Sequence, residues 1–277
     1  MLKKSVVFTV ALIFLHKPVL GGIGPQGVGV KPLGMGGAFR AIADDNSALS
    51  FNPGGITQSL KYSIEALYYW SELSEGFPQK VYHISIIDSK TAGIGGGFSF
   101  TREKLTQGGR EDTYTIALAE NYRSYLHIGI SGKIFSLRGI DDNDSSFATD
   151  LGIIARPWKQ YLSAGIVGYN IVKTGSENIS PRLGFGLATN PSKIITLAAD
   201  TVKDMDGDNI QYSFGGEVLL RGQFGLRGGY SGDRNSNSFY CVGLGWYAPR
   251  ITLNYGFQQG VGDLDLEAHS VSLIIYF

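Results

Sequence analysis

Cysteine is nearly absent: Cys241 stands alone, so the chain cannot form an internal disulfide, and this residue reads as a small strand side chain rather than a reactive thiol. Histidine is also scarce. His83, His127 and His269 are the ones outside the first twenty-odd residues, and none stands beside a recognisable nucleophile motif, so an enzyme is not expected. Basic residues have no surplus, with 24 Lys and Arg against 24 Asp and Glu, which excludes a strongly basic nucleic-acid binder. Beyond the N-terminal run, no segment has the roughly 18 consecutive apolar residues of a membrane helix. Proline is sparse too, at 9 residues, whereas glycine reaches 39 and is scattered among aromatic segments without a collagen period. Such a composition suits strands packed at close quarters more than disorder.

The N-terminus reads as a secretory signal over residues 1–21. Lys3 and Lys4 form a basic region, Ser5 to Leu15 is an apolar run too short to span a bilayer as a helix, and cleavage is expected near Gly21 or Gly22. No cysteine follows this run, which argues against a lipoprotein anchor. Removing Lys3, Lys4 and Lys17 leaves 21 basic against 24 acidic residues, a net charge of −3. An exported chain without apolar helices can cross a membrane only as a closed barrel; otherwise it is an exported soluble β-protein.

The strand pattern decides between them. From Ser63 onward, period-two alternation predicts fourteen strands near 63–70, 80–87, 91–101, 112–122, 125–137, 146–156, 161–171, 180–190, 194–203, 210–220, 223–231, 238–247, 250–258 and 268–277. In 250–258 one face carries Ile251, Leu253, Tyr255 and Phe257, the other Thr252, Asn254, Gly256 and Gln258. The second face of these strands is glycine, serine and sparse charge, as in a wall with lipid outside and a polar lumen inside, whereas a soluble sandwich carries strongly charged outer faces. Glu120 is the exception, falling on the apolar parity of its strand.

Connections alternate short and long. Arg123-Ser124, Arg221-Gly222 and Ala248-Pro249 are short, while Ser71–Gln79, Arg102–Glu111 and Gln259–Glu267 are long. Outer-membrane barrels have short periplasmic turns and longer external loops, so both termini are expected in the periplasm. Aromatics gather at strand ends as expected of interfacial girdles: Tyr68, Tyr69 and Trp70; Tyr122 and Tyr125; Trp158 and Tyr161; Trp246 and Tyr247. In the last strand Val271, Leu273, Ile275 and the terminal Phe277 share one face, and this resembles the C-terminal signal read by the barrel-assembly machinery.

Residues 22–60 follow another grammar. Asn52 is placed to cap a short helix with Pro53 at its first position, and Asp44 or Asp45 to cap a turn over Ser47–Phe51. The glycines here lack the Lys-Ser/Thr pair of a phosphate loop. Leu33-Gly34-Met35-Gly36-Gly37-Ala38-Phe39, Ala43-Asp44-Asp45 and Asn52-Pro53-Gly54-Gly55 resemble the N-terminal hatch of the FadL-like outer-membrane proteins, with Asn-Pro-Gly-Gly in place of the usual Asn-Pro-Ala-Gly. Gly216-Glu217, Leu226-Arg227-Gly228-Gly229-Tyr230 and Asp150-Leu151-Gly152 extend the resemblance into the barrel. It implies an all-β, transmembrane antiparallel barrel of about 14 strands over 61–277, plugged by a hatch over 22–60. That group holds both long-chain fatty-acid transporters and the PorV/PorQ proteins linked to type IX secretion.

On the inward parity stand Glu65, Lys133, Asp150, Arg182, Asp200, Glu217 and Arg227, and Glu217 and Arg227 face each other around a two-residue turn. Mutual neutralisation that stiffens the wall and positions the plug is the first reading of this set; a polar contact for a ligand head group is the second. Asp204-Met205-Asp206-Gly207-Asp208 lacks the distant bidentate glutamate of a calcium loop and reads as a solvated acidic tip. No cofactor or metal is expected. The partners expected are outer-membrane lipid, a hydrophobic ligand in the lumen or, on the alternative reading of a scaffold, secretion-system proteins.

Overall fold

In the computed structural model the described residues are 28–73, 79–104, 109–122, 125–139, 143–158, 161–175, 179–235, 237–262 and 266–277. The expected signal peptide lies outside them. Among the described residues, fourteen antiparallel strands close into one barrel, each paired with its sequence neighbours and the last with the first. They are β1 (Tyr62–Leu73), β2 (Gln79–Asp88), β3 (Ile94–Lys104), β4 (Arg110–Tyr122), β5 (Leu126–Arg138), β6 (Asn143–Ala155) and β7 (Leu162–Thr174). The second half runs β8 (Arg182–Ser192), β9 (Ile195–Asp204), β10 (Ile210–Leu220), β11 (Phe224–Asp233), β12 (Ser238–Ala248), β13 (Ile251–Gly260) and β14 (Leu266–Tyr276). The expected strand positions are borne out to within a few residues.

The connections differ from expectation in one respect. Strands run further into the long-loop end than alternation alone indicated, leaving loops of four to seven residues there against two to six at the short-turn end. Extra ladder pairs above the apolar belt, such as Lys104↔Arg110 and Arg138↔Asn143, take up what read as loop.

Alternation sorts the side chains cleanly. Phe98, Ile116, Ile130, Phe185, Phe214, Leu226, Leu244 and Leu273 are exposed on the outer face, while Ser85, Ser131, Asp150, Glu217, Asn254 and Ser270 are buried on the inner one. An outer face of large apolar residues on a closed barrel is the surface of a membrane-spanning wall. No helix among the described residues is long and apolar enough to cross a membrane. Val271, Leu273, Ile275 and Phe277 all face outward. Glu120 lies outward on β4, opposite Ile94 at the short-turn end, so its register was read correctly.

Two girdle assignments are corrected. Tyr69 and Tyr247 point inward, because neighbours along a strand face opposite sides and an aromatic pair cannot both face lipid. Tyr68 and Trp70, on the outer face, stack at 5.3 Å.

Inside the barrel the N-terminal segment winds along the wall in descending strand order. Short helices α1 (Val30–Gly34) and α2 (Ala48–Phe51) and a 3₁₀ turn (Pro53–Thr57) are its regular elements. Val30 meets Gly256 of β13, Gly34 meets Gly243 of β12, and Met35 and Gly36 meet Gly215 and Gly229 of β10 and β11. Arg40 then passes Gly165 and Gly186 of β7 and β8, Asn52 and Pro53 pass Gly152 and Gly129 of β6 and β5, and Thr57 reaches Gly95 of β3. Nine wall glycines are thereby explained: a ring of inward glycines lets one backbone lie directly on another.

Candidate functional site

The site is the contact between this segment and the wall. Leu33 and Gly34 end α1, after which Gly36 and Gly37 take φ of 64° and 85°, a conformation that excludes most side chains, and fold the chain back so that Gly37 N–H donates to the Pro32 carbonyl at 2.8 Å. The turn buries Met35 and delivers Phe39, whose ring meets Phe51 edge-on at 5.8 Å. Asp45 accepts the Ser47 N–H at 2.8 Å ahead of α2. Asn52 does three things at once. Its Oδ1 accepts the Gly54 N–H at 3.1 Å, and its Nδ2 donates to the carbonyls of Arg40 at 2.9 Å and of Ile153 in β6 at 3.2 Å. Capping of the turn by Asn52, with Pro53 first, is as the sequence indicated.

Two ion pairs fix the segment to the wall, Arg40 with Asp200 and Lys31 with Glu217. Asp200 of β9 accepts from the backbone N–H groups of Phe39 and Arg40, both at 2.8 Å, and from Arg40 Nη1 at 3.1 Å. The Arg40 guanidinium is fully buried, lying 5.6 Å from the Phe51 ring centroid and 5.5 Å from that of Tyr169. On the far side, Lys31 pairs with Asp44 at 2.9 Å and reaches Glu217 at 3.6 Å. Burial opposes the Lys31 charge, yet Asp44 and Glu217 hold its pKa above the ordinary lysine range. Asp45 shifts upward, through burial first and then the nearby Asp44.

Glu217 and Arg227 meet at 2.8 Å as expected, although three residues, Arg221 to Gln223, connect their strands where two were expected. Arg227 also donates to the Tyr247 hydroxyl at 2.5 Å and to Asn254 at 3.0 Å, and Tyr247 donates to Glu217 at 2.6 Å. Lys133 pairs with Asp150, and Lys133 and Arg182 lie 5.7 and 5.3 Å from the Tyr169 ring centroid. The Tyr169 hydroxyl donates to the Phe51 carbonyl at 2.5 Å. Glu65 sits apart on β1, beside Ser85 and Ser272 and near Asp45. Each of the seven charged residues named from the sequence therefore faces inward. Arg40, Lys31, Tyr169 and Tyr247 were missed: a segment without periodicity gives no parity from which to place Lys31 or Arg40, and an aromatic beside a tryptophan reads as girdle.

At the Asp204–Asp208 loop, Asp206 pairs with Lys173 at 3.1 Å, and among the described residues no group of three His, Cys, Asp or Glu could hold a metal. His127 contacts the segment through Thr57 at 3.0 Å and His83 contacts Thr101 at 2.8 Å.

Among the described residues the wall's register shifts at two places, between Thr189 and Ser192 of β8 at the short-turn end and, beside this site, in β6. Between Thr149 and Leu151 of β6 the pairing jumps from Val172 to Gly168 of β7, and Asn170 takes φ of 53° in the bulge. Asp150 fills the gap in the ladder by accepting the Asn170 N–H at 2.9 Å.

No family model and no curated protein sequence matches the chain. The fold is nevertheless shared with solved outer-membrane proteins. The toluene transporter TbuX of Ralstonia pickettii superimposes with a TM-score of 0.69 at 10% identity, over 91% of this chain and 98% of that one. For the toluene transporter TodX of Pseudomonas putida the values are 0.63 and 10%, over 91% and 97%. For a FadL homologue of Pseudomonas aeruginosa they are 0.62 and 10%, over 92% and 99%. The chain has the fold of a FadL-like outer-membrane barrel.

Proposed function

We propose that the chain is a passive channel for small hydrophobic molecules, which enter the lumen from the long-loop end and leave sideways into the membrane between β6 and β7. The interrupted ladder at Asp150 is the observation that carries this reading. Apolar side chains flank it on both sides of the wall: Leu151, Ile166, Ile171 and Val172 outside, Ala148, Val167 and Tyr169 inside. The segment packed across the short-turn half leaves a hydrophobic solute better solvated by lipid than by a route past buried charges. Toluene transport by TbuX and TodX agrees with this class of cargo.

The test is uptake of radiolabelled toluene and of a medium-chain fatty acid by vesicles containing the protein. Thr149→Cys with Val172→Cys places two thiols at directly paired positions above the break. Oxidation is expected to stop uptake and reduction to restore it. Equal uptake by oxidised, reduced and protein-free vesicles, together with a stably co-purifying outer-membrane protein, would instead establish the scaffold reading, which the densely bonded segment–wall contact favours.

A further inference from the structure

On the outer face of the long-loop end, four basic residues stand directly opposite one another across four adjacent strands. The register pairs Lys80 of β2 with Lys104 of β3, Lys104 with Arg110 of β4, and Arg110 with Arg138 of β5. Like charges placed opposite each other in a ladder are destabilising. One rung below, Arg102 holds Asp112 through two bonds of 2.7 and 2.9 Å, and Asp112 lies 3.5 Å from Arg110. Among the described residues of β2 to β5 at the long-loop end, this one outward carboxylate answers Arg102 and touches Arg110, leaving the row with a clear positive excess. Glu103 and Glu111 belong to the same strands but alternate to the lumen side, Glu72 faces outward on the adjoining β1 two residues beyond Trp70, the partner of Lys80, and Glu267 faces outward further round on β14.

Beneath the row lies an aromatic shelf on the same face. Lys104 sits 5.4 Å from the Tyr82 ring centroid, Arg102 5.3 Å from that of Phe100, and Phe100 packs on Tyr114 at 5.1 Å. Cations just above outward aromatics occupy the headgroup level of a bilayer. Strands are about 4.8 Å apart, so the three gaps of the row span about 14 Å, more than one phosphate can bridge. We infer that this row binds the bisphosphorylated headgroup of an outer-leaflet lipid, the chemistry of lipid A, with one phosphate near Lys80 and Lys104 and the other near Arg110 and Arg138. The inference rests on the long-loop end facing outward, not on which cargo the lumen carries.

Binding is measured by native mass spectrometry and by the thermal shift of the detergent-solubilised protein on adding bisphosphorylated lipid A, its monophosphorylated form, or phosphatidylglycerol. The native protein is expected to retain bisphosphorylated lipid A most tightly. The variant Lys80→Gln, Lys104→Gln, Arg110→Gln, Arg138→Gln is expected to lose roughly a hundredfold in affinity, since each basic residue at an anionic lipid surface contributes a few-fold. A control with the same charge change at the short-turn end (Lys90→Gln, Lys193→Gln, Arg221→Gln, Arg250→Gln) is expected to bind as the native protein does. Equal loss in both variants, equal affinity for the two forms of lipid A, or preference for phosphatidylglycerol would each overturn the inference. Should the fourfold variant fail to fold, Lys104→Gln with Arg110→Gln carries the same comparison at reduced size.

Discussion

Replacing Asp200 with alanine is expected to unseat the N-terminal segment and turn a closed barrel into a leaky one. Its Oδ2 gathers three donors, two backbone N–H groups at 2.8 Å and the Arg40 guanidinium at 3.1 Å, from a stretch of chain with no strand pairing of its own. Removing the carboxylate strands a fully buried cation between Phe51 and Tyr169 and leaves two buried N–H groups without their acceptor. Breaking a buried pair from one side costs about 3–5 kcal/mol, far more than an exposed pair returns. The barrel wall does not need Asp200 for its own ladder, so the loss falls on the seating of the segment rather than on strand pairing. Single-channel recording in planar bilayers should show frequent openings to small ions, and cells carrying the variant should admit bulky hydrophilic antibiotics. Asp200→Asn, which keeps an acceptor oxygen for the N–H groups, should leak less. Conductance and antibiotic sensitivity indistinguishable from the native protein would show that the segment is held elsewhere.

What sequence could reveal follows from what has a period. Strands have one, so β10 was legible to the residue and β11 to within two, and with them the Glu217–Arg227 pair, although the turn between them holds three residues rather than two. Parity also placed Asp150, Lys133 and Asp200 inward without any knowledge of their partners. The N-terminal segment has no period, and its contacts join residues far apart in the chain: Arg40 to Asp200, Lys31 to Glu217, Phe51 to Tyr169. Only its local devices could be read, the Asn52 cap above all, because a cap is defined within four residues. Tyr247 shows the opposite failure. Beside Trp246 it satisfies the composition of a girdle, and only the register, which turns it toward Glu217, separates lipid anchor from lumen hydroxyl. The bulge at Asn170 was invisible because an asparagine in a strand and one in a left-handed bulge look alike until the partner strand is known.

Gly228→Ala and Gly229→Ala are neighbouring substitutions of the same size that should behave oppositely. Both lie in the middle of β11, where exchange for alanine trims the entropy of the unfolded chain and favours folding by about 0.4–1 kcal/mol if nothing is struck. Gly228 meets that condition, for a methyl group there has nothing within 4 Å on the lipid side. At Gly229 the methyl group would land on the Met35 carbonyl carbon and the Gly36 nitrogen, backbone atoms that cannot rotate away. Gly36 is itself pinned at φ of 64° with Tyr230 against it, so retreat of the segment would have to carry the Met35–Gly37 turn with it. Overpacking of this kind costs about 1–3 kcal/mol where side chains can adjust, and the upper part of that range is expected where they cannot. Adding Gly215→Ala, which meets the Met35 carbonyl from the next strand, should deepen the loss because both methyl groups press on one turn. Urea unfolding in lipid vesicles reads the result directly: Gly228→Ala at or above the native midpoint, Gly229→Ala well below it. If the two variants unfold together, the glycine ring does not serve the seating of the segment, and its small residues answer only to the curvature of the wall.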